Sequence, residues 1–173
     1  SAEPLLRSTG SAFMAQMSIF STTFTDSASH CIELQGSVEF YAEDLETNNC
    51  ESDALWALGT YVSIDGMTTQ DPVTMSGVEG ELHGLAGTDV TVDNVDGFSM
   101  SDLTVESIFG ADNREINIDG AFITGAPAID FDNTAGVLSN LAVNCGGSGT
   151  GITSHPVSYT HLRSPRDLTT SRM

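Results

Sequence analysis

The stretches VSIDG at residues 62–66, VTVDN at residues 90–94 and INIDG at residues 116–120 share one local pattern. In each stretch two apolar residues flank a polar one, and two residues that favour a tight corner follow. Alternation over so few residues is the periodicity of a β-strand and not of a helix. Asp, Asn and Gly tolerate a left-handed backbone or form Asx turns. The sequence therefore predicts short strands that are joined by sharp bends.

The same pattern recurs along most of the chain. Its copies begin at intervals of 21–28 residues, with about three short strands in each interval. The starting residues are Met17, Val38, Val62, Val90, Ile116 and Val137. A repeat of this length is typical of one turn of a parallel solenoid, in which like side chains stack in the interior. The side chains predicted to point inward are Ile64, Val92, Ile118, Phe131 and Val143.

This repeat resembles the right-handed parallel β-helix, the architecture of pectin lyases, polygalacturonases, tail spikes and many large prokaryotic surface proteins. The resemblance extends over about 140 residues and implies an all-β fold of about six short coils. The alternative all-β fold is a β-sandwich, which would have antiparallel hairpins and a turn every ~8–12 residues. The strands of this chain are shorter than those of a sandwich, which favours the β-helix.

Composition divides the chain into three parts. Residues 17–155 carry the repeat, and residues 1–16 are predicted to form a partial coil or a short helix. Residues 156–173 hold three of the five arginines and none of the 17 glycines. The stretch PVSYTHL at residues 156–162 resembles one reading frame of the transposon adapter used in sequencing libraries. We therefore expect residues 156–173 to be a non-native or disordered tail, and the chain to be a truncated section of a longer solenoid.

The chain is strongly acidic. It has 24 Asp and Glu residues against 5 basic residues, all of them arginine, and a formal net charge of −19. A polyanion does not bind nucleic acid by neutralising phosphates. No apolar run approaches the ~18 residues that a membrane span requires. We therefore expect neither a nucleic-acid partner nor membrane insertion.

The three cysteines bear on the compartment. Cys31 and Cys50 are 19 residues apart, close to one coil, and this spacing suits a disulfide between adjacent turns. The alternative is that all three cysteines are small buried hydrophobic residues. Neither a Cys-x-x-Cys motif nor a histidine at ligand spacing accompanies them, which argues against a zinc site.

Several acids are dense enough to suggest calcium. Carboxylates on neighbouring coils offer the oxygen ligands that Ca²⁺ prefers. The candidates are Asp93, Asp96, Asp130 and Asp132. The alternative is a solvated acidic face, and no EF-hand-type loop is present. Calcium is thus the one cofactor that the sequence leaves open.

Three aromatic residues, Tyr41, Trp56 and Tyr61, lie in the second and third coils and are candidates for stacking on sugar rings. The alternative is core or corner packing. The resemblance also implies which catalytic motifs to seek, but the chain lacks lysine and Asn133-Thr134 is followed by Ala135. We expect a fragment of an extracellular or cell-surface protein with a structural, adhesive or carbohydrate-binding role, a polysaccharide or other surface glycan as partner, and no catalytic site in this stretch. The alternative is part of a polysaccharide lyase or glycoside hydrolase whose active-site coils are missing.

Overall fold

The computed structural model describes residues 3–145, 151–155 and 159–163, and in this part of the chain all regular structure is β. The strands are β1 (Leu6–Ser27), β2 (Ile32–Cys50), β3 (Leu55–Leu58), β4 (Tyr61–Thr69), β5 (Val73–Ser76), β6 (Glu79–Ala86), β7 (Asp89–Asp93), β8 (Phe98–Val105), β9 (Ser107–Ala111), β10 (Ile116–Ile123), β11 (Ile129–Asp132), β12 (Gly136–Val143), β13 (Ile152–His155) and β14 (Tyr159–Arg163).

All strand pairings of the described residues are parallel, and they link the strands into one continuous sheet that coils on itself. β2 takes part in two faces of the coil. Its first residues, from Ile32 to Gln35, pair with β3, and its later residues, from Glu39 to Thr47, pair with β4. We call the row β3, β5, β7, β9, β11 and β13 the β3 face, and the row β4, β6, β8, β10, β12 and β14 the β4 face. The fold is thus a parallel β-helix, and the antiparallel β-sandwich is excluded.

The corners of the coil are formed by columns of left-handed residues. One column crosses the β4 face where each strand bends, and its members are Ser21, Asp44, Gly66, Gly84, Asp102, Gly120 and Asn140. A second column ends the β3 face and contains Gly36, Gly59, Gly77, Asn94, Asp112 and Asn133. All these residues have positive φ, which Gly, Asn and Asp adopt at least cost. The corner residues predicted from the sequence at Gly66, Asn94 and Gly120 are confirmed.

The central turns are shorter than the repeat of 21–28 residues predicted from the sequence. Ile64, Leu82, Met100 and Ile118 lie side by side in neighbouring strands, so these turns are 18 residues long. The structure has about seven turns. The additional turn, β5 with β6, lies between the predicted copies at Val62 and Val90, which belong to different faces. Both faces carry the same local pattern, because in each the alternating residues are followed by a left-handed residue, within the strand on the β4 face and after the strand on the β3 face.

Apolar side chains fill the interior of the coil along its length. Ile64, Val92, Ile118 and Phe131 are buried, as predicted. The prediction for Val143 was wrong, because its side chain is 38% exposed. Val143 ends β12, and the next described strand pairs with β12 only between Gly136 and Ser139, so it does not reach Val143.

The two ends of the chain are described in part. Residues 6–27, which include most of the segment predicted as a partial coil or short helix, form strand β1 and pair with β2. In the predicted tail, Tyr159–Arg163 form β14, and residues 156–158 and 164–173 lie outside the described residues. Among the described residues, no helix has the length and hydropathy to cross a membrane.

Candidate functional site

Two tyrosines form an aromatic pair on the outer surface of the β4 face. Tyr41 and Tyr61 lie on adjacent turns, with ring centroids 5.8 Å apart and planes inclined by 44°. The Tyr41 hydroxyl donates a hydrogen bond of 3.4 Å to Glu39. Burial of the Tyr41 phenol raises its pKa, and the negative charge of Glu39 adds to the rise. Tyr61 is 36% exposed, so part of its ring is free to contact a ligand.

A depression of about 310 Å³ opens beside Tyr61, at the corner between the β3 and β4 faces. Its wall includes Glu39, Tyr61 and Glu79, which are direct neighbours across three successive turns. The remaining lining residues are Val38, Gly59, Thr60 and Gly77. The corner glycines leave the floor open, because a Cβ placed on Gly59 would meet no atom within 4 Å. We call these seven residues the tyrosine depression.

Trp56, the third predicted aromatic, lies on the β3 face and does not join the tyrosine pair. Its indole stacks on the imidazole of His30, with ring centroids 5.6 Å apart and an interplanar angle of 21°. His30 is itself held by Asp53, whose Oδ2 lies 2.9 Å from Nδ1. One side of the indole is therefore covered by protein. The three predicted aromatics form two separate groups on adjacent faces, and the tyrosines are the more open one.

Three of the four predicted calcium ligands share one depression, and the fourth does not. Asp93, Asp130 and Asp132 line a hollow on the β3 face, whereas Asp96 lies in a different hollow beside Arg114. An oxygen of Asp93 already accepts a hydrogen bond of 2.8 Å from the Ala111 amide. Within the part of the chain that is described, no group of three or more His, Cys, Asp or Glu side chains is placed to hold a metal ion.

The predicted cysteine pair is joined by a disulfide. Cys31 directly precedes β2 and Cys50 is its last residue, and their Cα atoms are 5.5 Å apart. The bond therefore closes a single turn, whereas the sequence suggested a link between adjacent turns. Both cysteines are buried, so the disulfide is also part of the core. Cys145 is a free thiol that packs at the edge of the core.

A polar column that the sequence analysis missed runs along the outer surface of the β4 face. Its members at successive turns are Asp65, His83, Ser101, Asp119 and Ser139. His83 Nδ1 lies 2.8 Å from the Ser101 hydroxyl, and its Nε2 lies 3.8 Å from Asp65. Ser139 donates to Asp119, and this hydrogen bond, with one from Asn140, lowers the pKa of Asp119.

This column, although it contains Ser, His and Asp, lacks the features of a nucleophilic site. The distance from Nε2 to Asp65 exceeds that of a hydrogen bond, and the His83 and Asp65 side chains are 47% and 73% exposed. The arrangement links successive turns through polar contacts. Residues 65, 83, 101 and 119 are each 18 apart, so the true repeat length would have revealed the column.

No family model matches this chain, and no curated protein or solved structure is significantly similar to it. The class of protein is therefore defined by the fold alone, as a parallel β-helix.

Proposed function

We propose that this protein is an extracellular or cell-surface β-helix, with a structural or adhesive role, that binds a carbohydrate on its β4 face. The observation that carries the proposal is the Tyr41–Tyr61 pair, whose rings lie 5.8 Å apart beside an open depression. Aromatic side chains with one apolar face and one polar tip suit a ligand that is both flat and hydroxylated. A sugar ring has this combination.

The surrounding groups fit the same ligand. Carboxylates of Glu39 and Glu79 lie on either side of Tyr61 and can accept hydrogen bonds from sugar hydroxyls. The flat outer surface of a parallel sheet repeats every ~4.8 Å, which suits an extended chain that runs along the coil axis. We therefore infer a polymeric glycan as the partner.

The proposed compartment follows from the cysteines. Disulfides persist in oxidising environments and are rare in the reducing cytosol. The buried Cys31–Cys50 bond supports an extracellular or cell-surface location, as does the acidic, lysine-free composition, which favours solubility in salt.

Binding to immobilised neutral, acidic and amino-sugar polysaccharides tests the proposal. We expect the chain to be retained by at least one of them, and Tyr61→Ala to weaken that binding about fivefold, since one aromatic contact contributes ~1 kcal/mol. Phe122→Ala is the matched control, because Phe122 is 45% exposed in β10 beyond the bend at Gly120, whereas Tyr61 precedes the corresponding bend at Gly66. No retention by any polysaccharide, or equal losses for the two variants, would contradict the proposal.

A further inference from the structure

The tyrosine depression has a negative charge that no basic side chain of the described residues neutralises. Glu39 and Glu79 line it, and the salt bridges of the described residues involve neither. Arg7, the nearest arginine in sequence, is bound to Glu3 and Glu33 instead. With a net charge of −19 on the whole chain, the field in this region is negative and attracts cations.

The geometry places this charge around an aromatic ring. Glu39, Tyr61 and Glu79 are paired in register on three successive turns. Because neighbouring strands are ~4.8 Å apart, the two carboxylates flank the ring from both sides along the coil axis. A positive group over the face of a tyrosine is attracted by the ring and, at this place, by both carboxylates. A neutral or anionic group is attracted neither by the negative face of the ring nor by the carboxylates.

We propose that the glycan bound by this face is cationic, a polysaccharide with free amino groups, and that the tyrosine depression holds one protonated amino sugar. The sugar ring packs on Tyr61, and the ammonium group lies between Glu39 and Glu79. This inference rests on the proposed carbohydrate-binding function and names the class of carbohydrate.

Two ligands that differ only in charge test the inference. A glucosamine oligomer and an N-acetylglucosamine oligomer of equal length are titrated into the full chain by calorimetry at about pH 5.5, where amines and most carboxylates are ionised. We expect the glucosamine oligomer to bind at least about tenfold more tightly, and added salt to reduce the difference. Equal or weaker binding of the glucosamine oligomer would overturn the inference.

Charge-neutralising variants test whether the preference for the glucosamine oligomer arises in the tyrosine depression. Glu39→Gln combined with Glu79→Gln should abolish the preference for the amino form, measured as the ratio of the two dissociation constants. Glu51→Gln combined with Glu106→Gln, which removes the same charge at exposed positions elsewhere, should leave the preference intact. Circular dichroism verifies that both double variants are folded. A preference that survives in the first double variant would overturn the assignment to this depression.

The remaining outcomes separate this inference from the proposed function. Binding of only the N-acetylated oligomer, with loss in Tyr61→Ala, would overturn the cationic ligand and support the carbohydrate-binding function. If no oligomer binds and the polysaccharide panel is also negative, both fail. A lysine oligomer of equal charge serves as a last control, because its binding as tightly as glucosamine would show recognition of charge without sugar and would overturn the inference.

Discussion

Individual glycines decide whether successive turns can stack. Gly80 lies in β6 with φ of +116°, and a Cβ at this position would overlap the carbonyl oxygen of Val62 on the preceding turn. The obstacle is backbone, which cannot rotate away as a side chain can. Gly97 has φ of +80°, but a Cβ there would meet nothing within 4 Å. Both glycines have a left-handed backbone, but only Gly80 is crowded, so comparing substitutions at the two positions separates the cost of the backbone conformation from the cost of the steric overlap.

We predict that Gly80→Ala destabilises the fold by about 2–5 kcal/mol, because a left-handed backbone costs ~1–2 kcal/mol and overpacking adds ~1–3 kcal/mol. Gly97→Ala should cost only the first of these, about 1–2 kcal/mol. Urea unfolding followed by circular dichroism measures both values. If the two variants unfold at the same midpoint with equal slopes, the close approach at Gly80 does not contribute to the free energy of unfolding.

At the scale of the element, Asn113 holds the connection between β9 and β10 to its neighbours. The residue is buried, and its amide nitrogen donates to the Val92 carbonyl at 2.6 Å and to the Thr134 hydroxyl at 3.3 Å. Its side-chain oxygen accepts from the Val95 amide at 3.0 Å. One side chain thus satisfies polar groups of both adjacent turns. Through these hydrogen bonds, the Asn113 side chain connects three successive coils.

We predict that Asn113→Ala destabilises the protein by about 2–4 kcal/mol, since buried polar groups that lose their partners cost ~1–3 kcal/mol each. Asn117→Ala is the matched control, because Asn117 is exposed in β10 and should change stability by less than about 0.5 kcal/mol. Thermal unfolding in the same buffer compares them. Similar losses in both variants would mean that the buried amide is dispensable.

At the scale of the whole molecule, the sequence was sufficient to predict the architecture but not its register. Alternating pairs such as Val90 and Val92, with a corner residue at Asn94, show the strand and the bend directly. The turn that contains Gly80 was not counted as a separate coil, because glycine stands where neighbouring turns have Val62 and Phe98 and the apolar ladder is interrupted there. The polar column at Asp65, His83 and Ser101 could not be seen without that register. Tyr41 and Tyr61 were singled out by residue type, but only the structure places Trp56 on another face.

The charge of the whole solenoid sets its response to salt. Its turns stack ~4.8 Å apart, so acids at equivalent positions repel along the coil axis, and a net charge of −19 destabilises the compact state. The described residues contain few ion pairs to offset this repulsion. Because ~0.15 M salt screens charges beyond ~8 Å and ~1 M salt beyond ~3 Å, repulsion between turns should fall steeply over this range.

We therefore predict that the midpoint of thermal unfolding rises by several degrees when NaCl is increased from about 0.05 M to about 1 M, since ~1 kcal/mol shifts Tm by ~2–4 °C in a chain of this size. Differential scanning calorimetry measures the shift. Calcium chloride at matched ionic strength is the control, because screening alone predicts the same midpoint for both salts. A midpoint that does not change with NaCl would show that repulsion between turns is already relieved in the fold, and a higher midpoint in calcium would instead indicate specific binding by carboxylates such as Asp93 and Asp130.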